Sequence, residues 1–196
     1  MQDNDSLLRQ YGAKYGLILG LCFLVLAIGG DYFTANVVMP VVGFVLTQFF
    51  VYVIAKIALA VVFVLWLRKT LGGYWNLKQA TTGIFFMLYM ALIINYIGYN
   101  IAFTHAIDPA TFQKAGQHTI DAFKQAQQMG HTPQKDIDAK VQSMQQSLHN
   151  GYQITVSSVL QYLFTYILLV FVVSLVLGAL FKRELPVFTR TREDVE

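Results

Sequence analysis

Four long apolar runs decide what this chain can become. They cover roughly Gly12 to Gly30, Pro40 to Leu67, Ala80 to Phe103 and Ile154 to Phe181. A bilayer core is crossed by about 20 apolar residues in a helix that rises 1.5 Å per residue, so each run is long enough to span one. The composition agrees. Of the 196 residues, 56% are hydrophobic and only 13% charged, against about 45–50% and 25% in soluble domains. The expected fold is therefore an all-α integral membrane protein with four transmembrane helices. Disordered chains, nucleic-acid-binding domains and disulfide scaffolds are excluded. The net charge of +3 reflects cations at the ends of apolar runs, where they set orientation rather than build a nucleic-acid stripe. The single cysteine, Cys22, lies within the first run, has no partner for an intramolecular disulfide and reads as a small apolar residue.

The first run has a stretch, Leu17 to Ile28, of the length of a signal-peptide core. The residues before it mix Asp3 and Asp5 with Arg9 and Lys14, a poor leader, and the run is expected to be a retained helix. Orientation follows from the short loops. The turn after the second run holds Arg68, Lys69 and Lys78, and the tail 182–196 holds Lys182, Arg183, Arg190 and Arg192. The loop from about Asp31 to Met39 has no lysine or arginine. Both termini and the 68–79 turn are expected on the cytoplasmic side of the membrane, with residues 108–150 outside.

Residues 108–150 are of different material, rich in Gln, Asp, Lys and His, and read as an extracytoplasmic helical hairpin. Asp108-Pro109 and Thr132-Pro133 each offer an N-cap followed by proline, and Gly130 sits where a helix-ending glycine belongs. Ile137, Val141, Met144 and Leu148 form an apolar stripe at helical spacing in the second arm. Phe112, Ala115, Thr119, Phe123 and Ala126 form a weaker one in the first. Phe112, Phe123, Ile137 and Met144 are the expected contacts of this hairpin with the spans, a second copy or a partner.

Several short stretches then suggest a family. Tyr15-Gly16-Leu17-Ile18-Leu19-Gly20 opens the first run. Leu71-Gly72-Gly73-Tyr74 precedes Leu77-Lys78-Gln79-Ala80 at the third. Asn95-Tyr96-Ile97 leads through Ile107-Asp108-Pro109 into the amphipathic segment. In this order and spacing they resemble the bacterial membrane family catalogued as domain of unknown function 4199, found mostly in Bacteroidetes. The resemblance covers nearly the whole chain and implies a multi-pass bacterial inner-membrane protein; it brings no catalytic residues.

Lys56 is the most informative single residue. It lies 12 positions before Arg68, about 18 Å into a hydrocarbon layer of about 30 Å. An ammonium there costs a few kcal/mol, about 2.5–3.5 on insertion scales, and faces the bundle interior or a wet cavity. Gln48 and Tyr52 precede it at helical spacing on one face. No Asp or Glu occurs inside any span, so no buried ion pair is expected for Lys56, and Lys56→Met is expected to be tolerated. Tyr89, Asn95 and Tyr96 of the third run and Tyr166 of the fourth complete a candidate intramembrane polar funnel. Two readings stand side by side: a site for an anion, headgroup or proton around Lys56, and a packed lysine among interhelical hydrogen bonds and interfacial tyrosines.

Gly12, Gly16 and Gly20 repeat at four-residue spacing and form a face for close helix approach. Its partner is another span, with Ser174 and Gly178 a candidate match, or a second copy. The four histidines, His105, His118, His131 and His149, all lie between the third and fourth runs. At most His105 and His149 converge with Asp108, and no metal-binding spacing supports them, so no metal or cofactor is expected. No phosphate-binding glycine loop, nucleophile motif or carboxylate pair is present, which argues against an enzyme. Two functions follow: a non-enzymatic scaffold, sensor or accessory component docking through the hairpin, or a small transporter or lipid-handling protein around Lys56. The expected partners are the lipid bilayer and a further membrane protein or second copy, and not nucleic acid.

Overall fold

The computed structural model describes residues 2–37, 39–149 and 156–183, and its elements are helical throughout, without a strand among the described residues. Helix α1 covers Gln2–Asn36. Helix α2, Val41–Phe49, runs through a π-helical segment, Phe50–Ile54, into α3, Ala55–Thr70. Helix α4, Leu77–Asn95, likewise continues into a π-helical segment, Tyr96–Ile107. The amphipathic α5, Pro109–Met129, and α6, Gln134–His149, follow, and then α7, Val156–Phe181. Four helical stretches are long and apolar enough to cross a membrane: Ser6–Asn36, Val41–Thr70, Leu77–Ile107 and Val159–Phe181. Such helices satisfy their backbone groups internally, which hydrocarbon demands. Large apolar side chains such as Phe164, Leu168 and Val25 stand exposed on them, as lipid-facing residues do.

The chain forms two compact units. Unit 1 draws on residues up to Gly20, on Ala58–Ile93 and on the chain from Tyr162, and unit 2 on Leu21–Ile57 and Ile94–Gln161.

Unit 1 is built on α4, whose Ala80, Ile84, Met87 and Ala91 are fully buried. A Cβ on Gly12 would come within 2.8 Å of the Gly83 carbonyl oxygen, and one on Gly16 would fall on that of Met87. These glycines let α1 lie backbone-to-backbone against α4. Gly20 is buried on the same helix. Gly178 of α7 also faces α4, where a Cβ would meet the Thr81 hydroxyl at 2.7 Å. The expected match between Gly12/Gly16 and Ser174/Gly178 is thus corrected: both small surfaces serve the α4 backbone. The turn before α4 explains its glycines. Gly72 and Gly73 take φ of +92° and +82°, conformations costly for any residue with a Cβ. Asn76 and Gln79 then cap α4 reciprocally, each side chain accepting the other's backbone N–H. Buried Trp75 donates its indole N–H to the Phe181 carbonyl at 2.8 Å, and its backbone pairs with that of Arg183.

In unit 2, α5 packs on α2 and on Tyr96–Ile107, while α6 packs on α5. Asp108 caps α5 as expected from sequence, accepting the Thr111 N–H at 3.0 Å ahead of Pro109. The other end departs from expectation. Gly130 has φ −79° and the left-handed residue is His131, at φ 55°. Its N–H bonds the Gln128 carbonyl, and that of Thr132 the Gln127 carbonyl, a Schellman closure with histidine in the usual glycine position. The Thr132 hydroxyl turns back to Gln127 at 2.7 Å instead of capping α6.

Candidate functional site

The polar centre of unit 2 is a carboxylate. Asp31 lies five residues before the end of α1, only 6% exposed. Its Oδ1 accepts the Tyr52 hydroxyl at 2.7 Å and its Oδ2 the Tyr99 hydroxyl at 2.6 Å. Each tyrosine comes from a π-helical segment, a geometry found disproportionately at functional sites because the widened turn re-aims side chains. Gly30 makes room for this: a Cβ there would meet the Tyr52 hydroxyl at 2.9 Å. Lys56 completes the group. Its ammonium lies 5.3 Å above the Tyr52 ring and 5.8 Å from that of Phe23, and it interacts electrostatically with Asp31.

Asp31 corrects the expectation that the spans hold no acid. The first span does not end at Gly30 but runs on to Asn36. The Thr34 hydroxyl bonds the carbonyls of Gly30 and Asp31, and the Asn36 amide bonds that of Tyr32. Two phenols and a nearby ammonium compensate the carboxylate. Lys56 therefore has a counter-charge, and the tolerance expected of Lys56→Met does not follow.

Beside Asp31 lies a cavity of about 480 Å³, within the size range of small-molecule sites. The spans line it with Asp31, Gln48, Tyr52, Tyr99 and Phe44, and α5 adds Phe112, Ala115, Gly116 and Thr119. The first arm of the hairpin thus forms one wall of a site whose carboxylate and phenols come from the spans. A third tyrosine ties that arm down: Tyr32 of α1 donates to Asp108 Oδ2 at 2.6 Å. The hydrogen bonds from Tyr32 and from Thr111 hold the Asp108 carboxyl below the usual carboxylate range.

A family model described as "Protein of unknown function (DUF4199)" matches residues 10–183. The chain belongs to the DUF4199 family. No curated protein and no solved structure matches it.

In this DUF4199 protein the polar residues singled out from sequence divide between the units. Lys56, Tyr52 and Gln48 gather in unit 2 around Asp31. Tyr96 is buried there too, and Asn95 has a buried Oδ1 without a hydrogen-bond partner. Tyr89 belongs to unit 1, stacked on Phe85 at 5.8 Å, as does Tyr166, whose ring lies 4.2 Å from that of Tyr162. Among the hairpin residues Phe112 lines the cavity, Ile137 is fully buried, and Phe123 and Met144 are half-buried. The arms are in close contact at Gly116, where an added Cβ would fall on the Leu148 side chain. Ile120, off the apolar stripe read from sequence, is buried because α5 has neighbours on more than one side. His105 bonds the Thr104 hydroxyl through Nδ1 at 2.7 Å, and the side chain of His149 lies outside the described residues. Among the described residues no three metal-ligating side chains converge.

Sequence reasoning missed Asp31 and Tyr99 as partners of one another. A signal was available: Gly29-Gly30-Asp31 closes an apolar run, and an acid beside small residues at a span end fits a carboxylate approached by other side chains.

Proposed function

We propose that this chain is a non-enzymatic sensor of the bacterial inner membrane, with both termini in the cytoplasm. It takes a small amphipathic ligand into the unit 2 cavity and passes occupancy to a partner protein through the α5–α6 hairpin outside. The observation that carries this reading is the shared wall. Phe112, Ala115 and Thr119 of α5 face the same space as Asp31, Tyr52 and Tyr99, so whatever fills the cavity touches the hairpin. The lysine-free 31–39 stretch against Arg68, Lys69 and Lys78 supports the orientation.

The test is to fill the cavity from within. Ala115→Trp, in full-length protein in lipid nanodiscs, should slow amide exchange in α5 and alter it in α6, which packs on α5 and does not itself line the cavity. It should also change the yield of partner captured by a photo-crosslinker placed at Lys140. Exchange altered in α5 but unchanged in α6 sinks the relay.

The charged group Asp31–Lys56 favours a second reading, a small transporter or lipid-handling protein. In that case Lys56→Met abolishes ligand movement across vesicles but leaves partner capture intact.

A further inference from the structure

We infer that the unit 2 cavity takes an organic ammonium: an amphiphile with a positively charged, alkylated nitrogen at one end and a short apolar body. The inference rests on the cavity reading above and names its ligand class.

The argument begins with hydrogen-bond supply. The Tyr52 and Tyr99 hydroxyls both spend their protons on Asp31, and the Thr119 hydroxyl spends its proton on the Ala115 carbonyl at 2.9 Å. What these groups present to the cavity is lone pairs, beside the carboxylate itself. Of the polar side chains lining the space, only the Gln48 amide has protons to give. A carboxylate, sulfate or phosphate entering here meets acceptors almost everywhere. A cation meets what it needs.

The walls agree with the floor. Phe44, Tyr52, Tyr99 and Phe112 all border the cavity, and aromatic faces around a carboxylate are the usual environment of an alkylated ammonium. The protein already holds one ammonium this way: Lys56 lies over the rings of Tyr52 and Phe23 in the field of Asp31. Lys56 does not border the cavity, so the ligand reaches Asp31 without displacing it. The two cations repel each other across Tyr52, which makes Lys56 a brake on affinity.

The charge of the ligand therefore fixes the sign of a mutational effect. Full-length protein in nanodiscs is exposed to octyltrimethylammonium, octyl sulfate or octyl glucoside below their micellar concentrations, and amide exchange of α5 is followed. Octyltrimethylammonium should slow it at least threefold, while the other two leave it unchanged. Lys56→Met should tighten ammonium binding at least threefold, and Phe112→Leu, which keeps an apolar side chain but removes the ring, should weaken it at least threefold. The Phe112→Leu arm decides alone where Lys56→Met does not fold. Protection by octyl sulfate or octyl glucoside equal to that by the ammonium, weaker ammonium binding in Lys56→Met, or indifference to Phe112→Leu overturns the ammonium while leaving a ligand cavity in place. Absence of protection by all three amphiphiles takes down the cavity reading itself.

Discussion

Unit 1 removes space and unit 2 keeps it. In unit 1, Gly12, Gly16 and Gly178 bring helix backbones together, and the buried α4 residues are mostly small or unbranched at Cβ. In unit 2 glycine serves a side chain: Gly30 admits the Tyr52 hydroxyl. Two π-helical segments carry the tyrosines and a cavity remains. Membrane helices gain little from burying apolar groups, since lipid is equally apolar, and associate through close contact and hydrogen bonds. The two units exemplify these two means. The contrast teaches that a small-residue face in a span marks a packing seam, while polar and aromatic residues on widened helical turns mark the place to look for a ligand.

The contrast can be broken most forcefully in unit 1. Gly16→Val pushes its Cβ into the Met87 carbonyl, against backbone that cannot turn aside. It should cost about 3 kcal/mol or more, at the upper end for overpacking, whereas Gly29→Ala, with nothing within 4 Å of the added Cβ, should be nearly silent. Thermal melting of fluorescent fusions in detergent reads both, and equal melting temperatures would dissolve the distinction.

The next effect sharpens the picture of unit 2. Lys56→Met leaves Asp31 without its counter-charge and should destabilise by about 1–3 kcal/mol, less than for a fully buried pair because Lys56 is half-buried. Adding Asp31→Asn should restore much of that loss. A double-mutant cycle with no coupling would separate the two charges.

A smaller, pH-dependent effect concerns the hairpin. The Asp108 carboxyl lies below its ordinary range when folded, so its contribution to docking α5 is fully present above the unfolded value of about 3.9. It is lost as pH falls through the lower folded value. Protection of α5 amides, taken relative to the intrinsic exchange rate at each pH, should fall on that acid limb, and Asp108→Ala should show the low limit already at neutral pH. An unchanged acid limb in Asp108→Ala would assign the effect elsewhere.

The smallest effect is a gain. His131→Gly relieves the left-handed strain at the hairpin tip and should stabilise it by about 1 kcal/mol or less, seen as slower exchange around residues 127–132.

Much of the frame was legible in the sequence, because length and apolarity alone determine a span and an N-cap such as Asp108 is local chemistry. Gly12 and Gly16 revealed a close-approach face, but not its partner, since the glycine pattern carries no information about which backbone it meets. The site was half legible. Lys56, Tyr52 and Gln48 stand out as polar residues in an apolar run. Asp31 did not, because hydropathy ends a span where the charge begins, while the helix continues wherever side chains satisfy that charge. Tyr99 was misjudged for another reason: its depth near the outer end of the third span reads as an interfacial tyrosine, and depth alone does not show that a carboxylate from another span meets its hydroxyl.

Trp75 has a consequence for how the chain is made. Its indole proton and its backbone are completed by Phe181 and Arg183, more than a hundred residues downstream. The turn between the second and third spans is synthesised early, yet the groups that close it arrive only with the end of the fourth. A nascent chain therefore carries this seam open, with the Trp75 indole proton and backbone unpaired by their final partners, until residues 181–183 have been made.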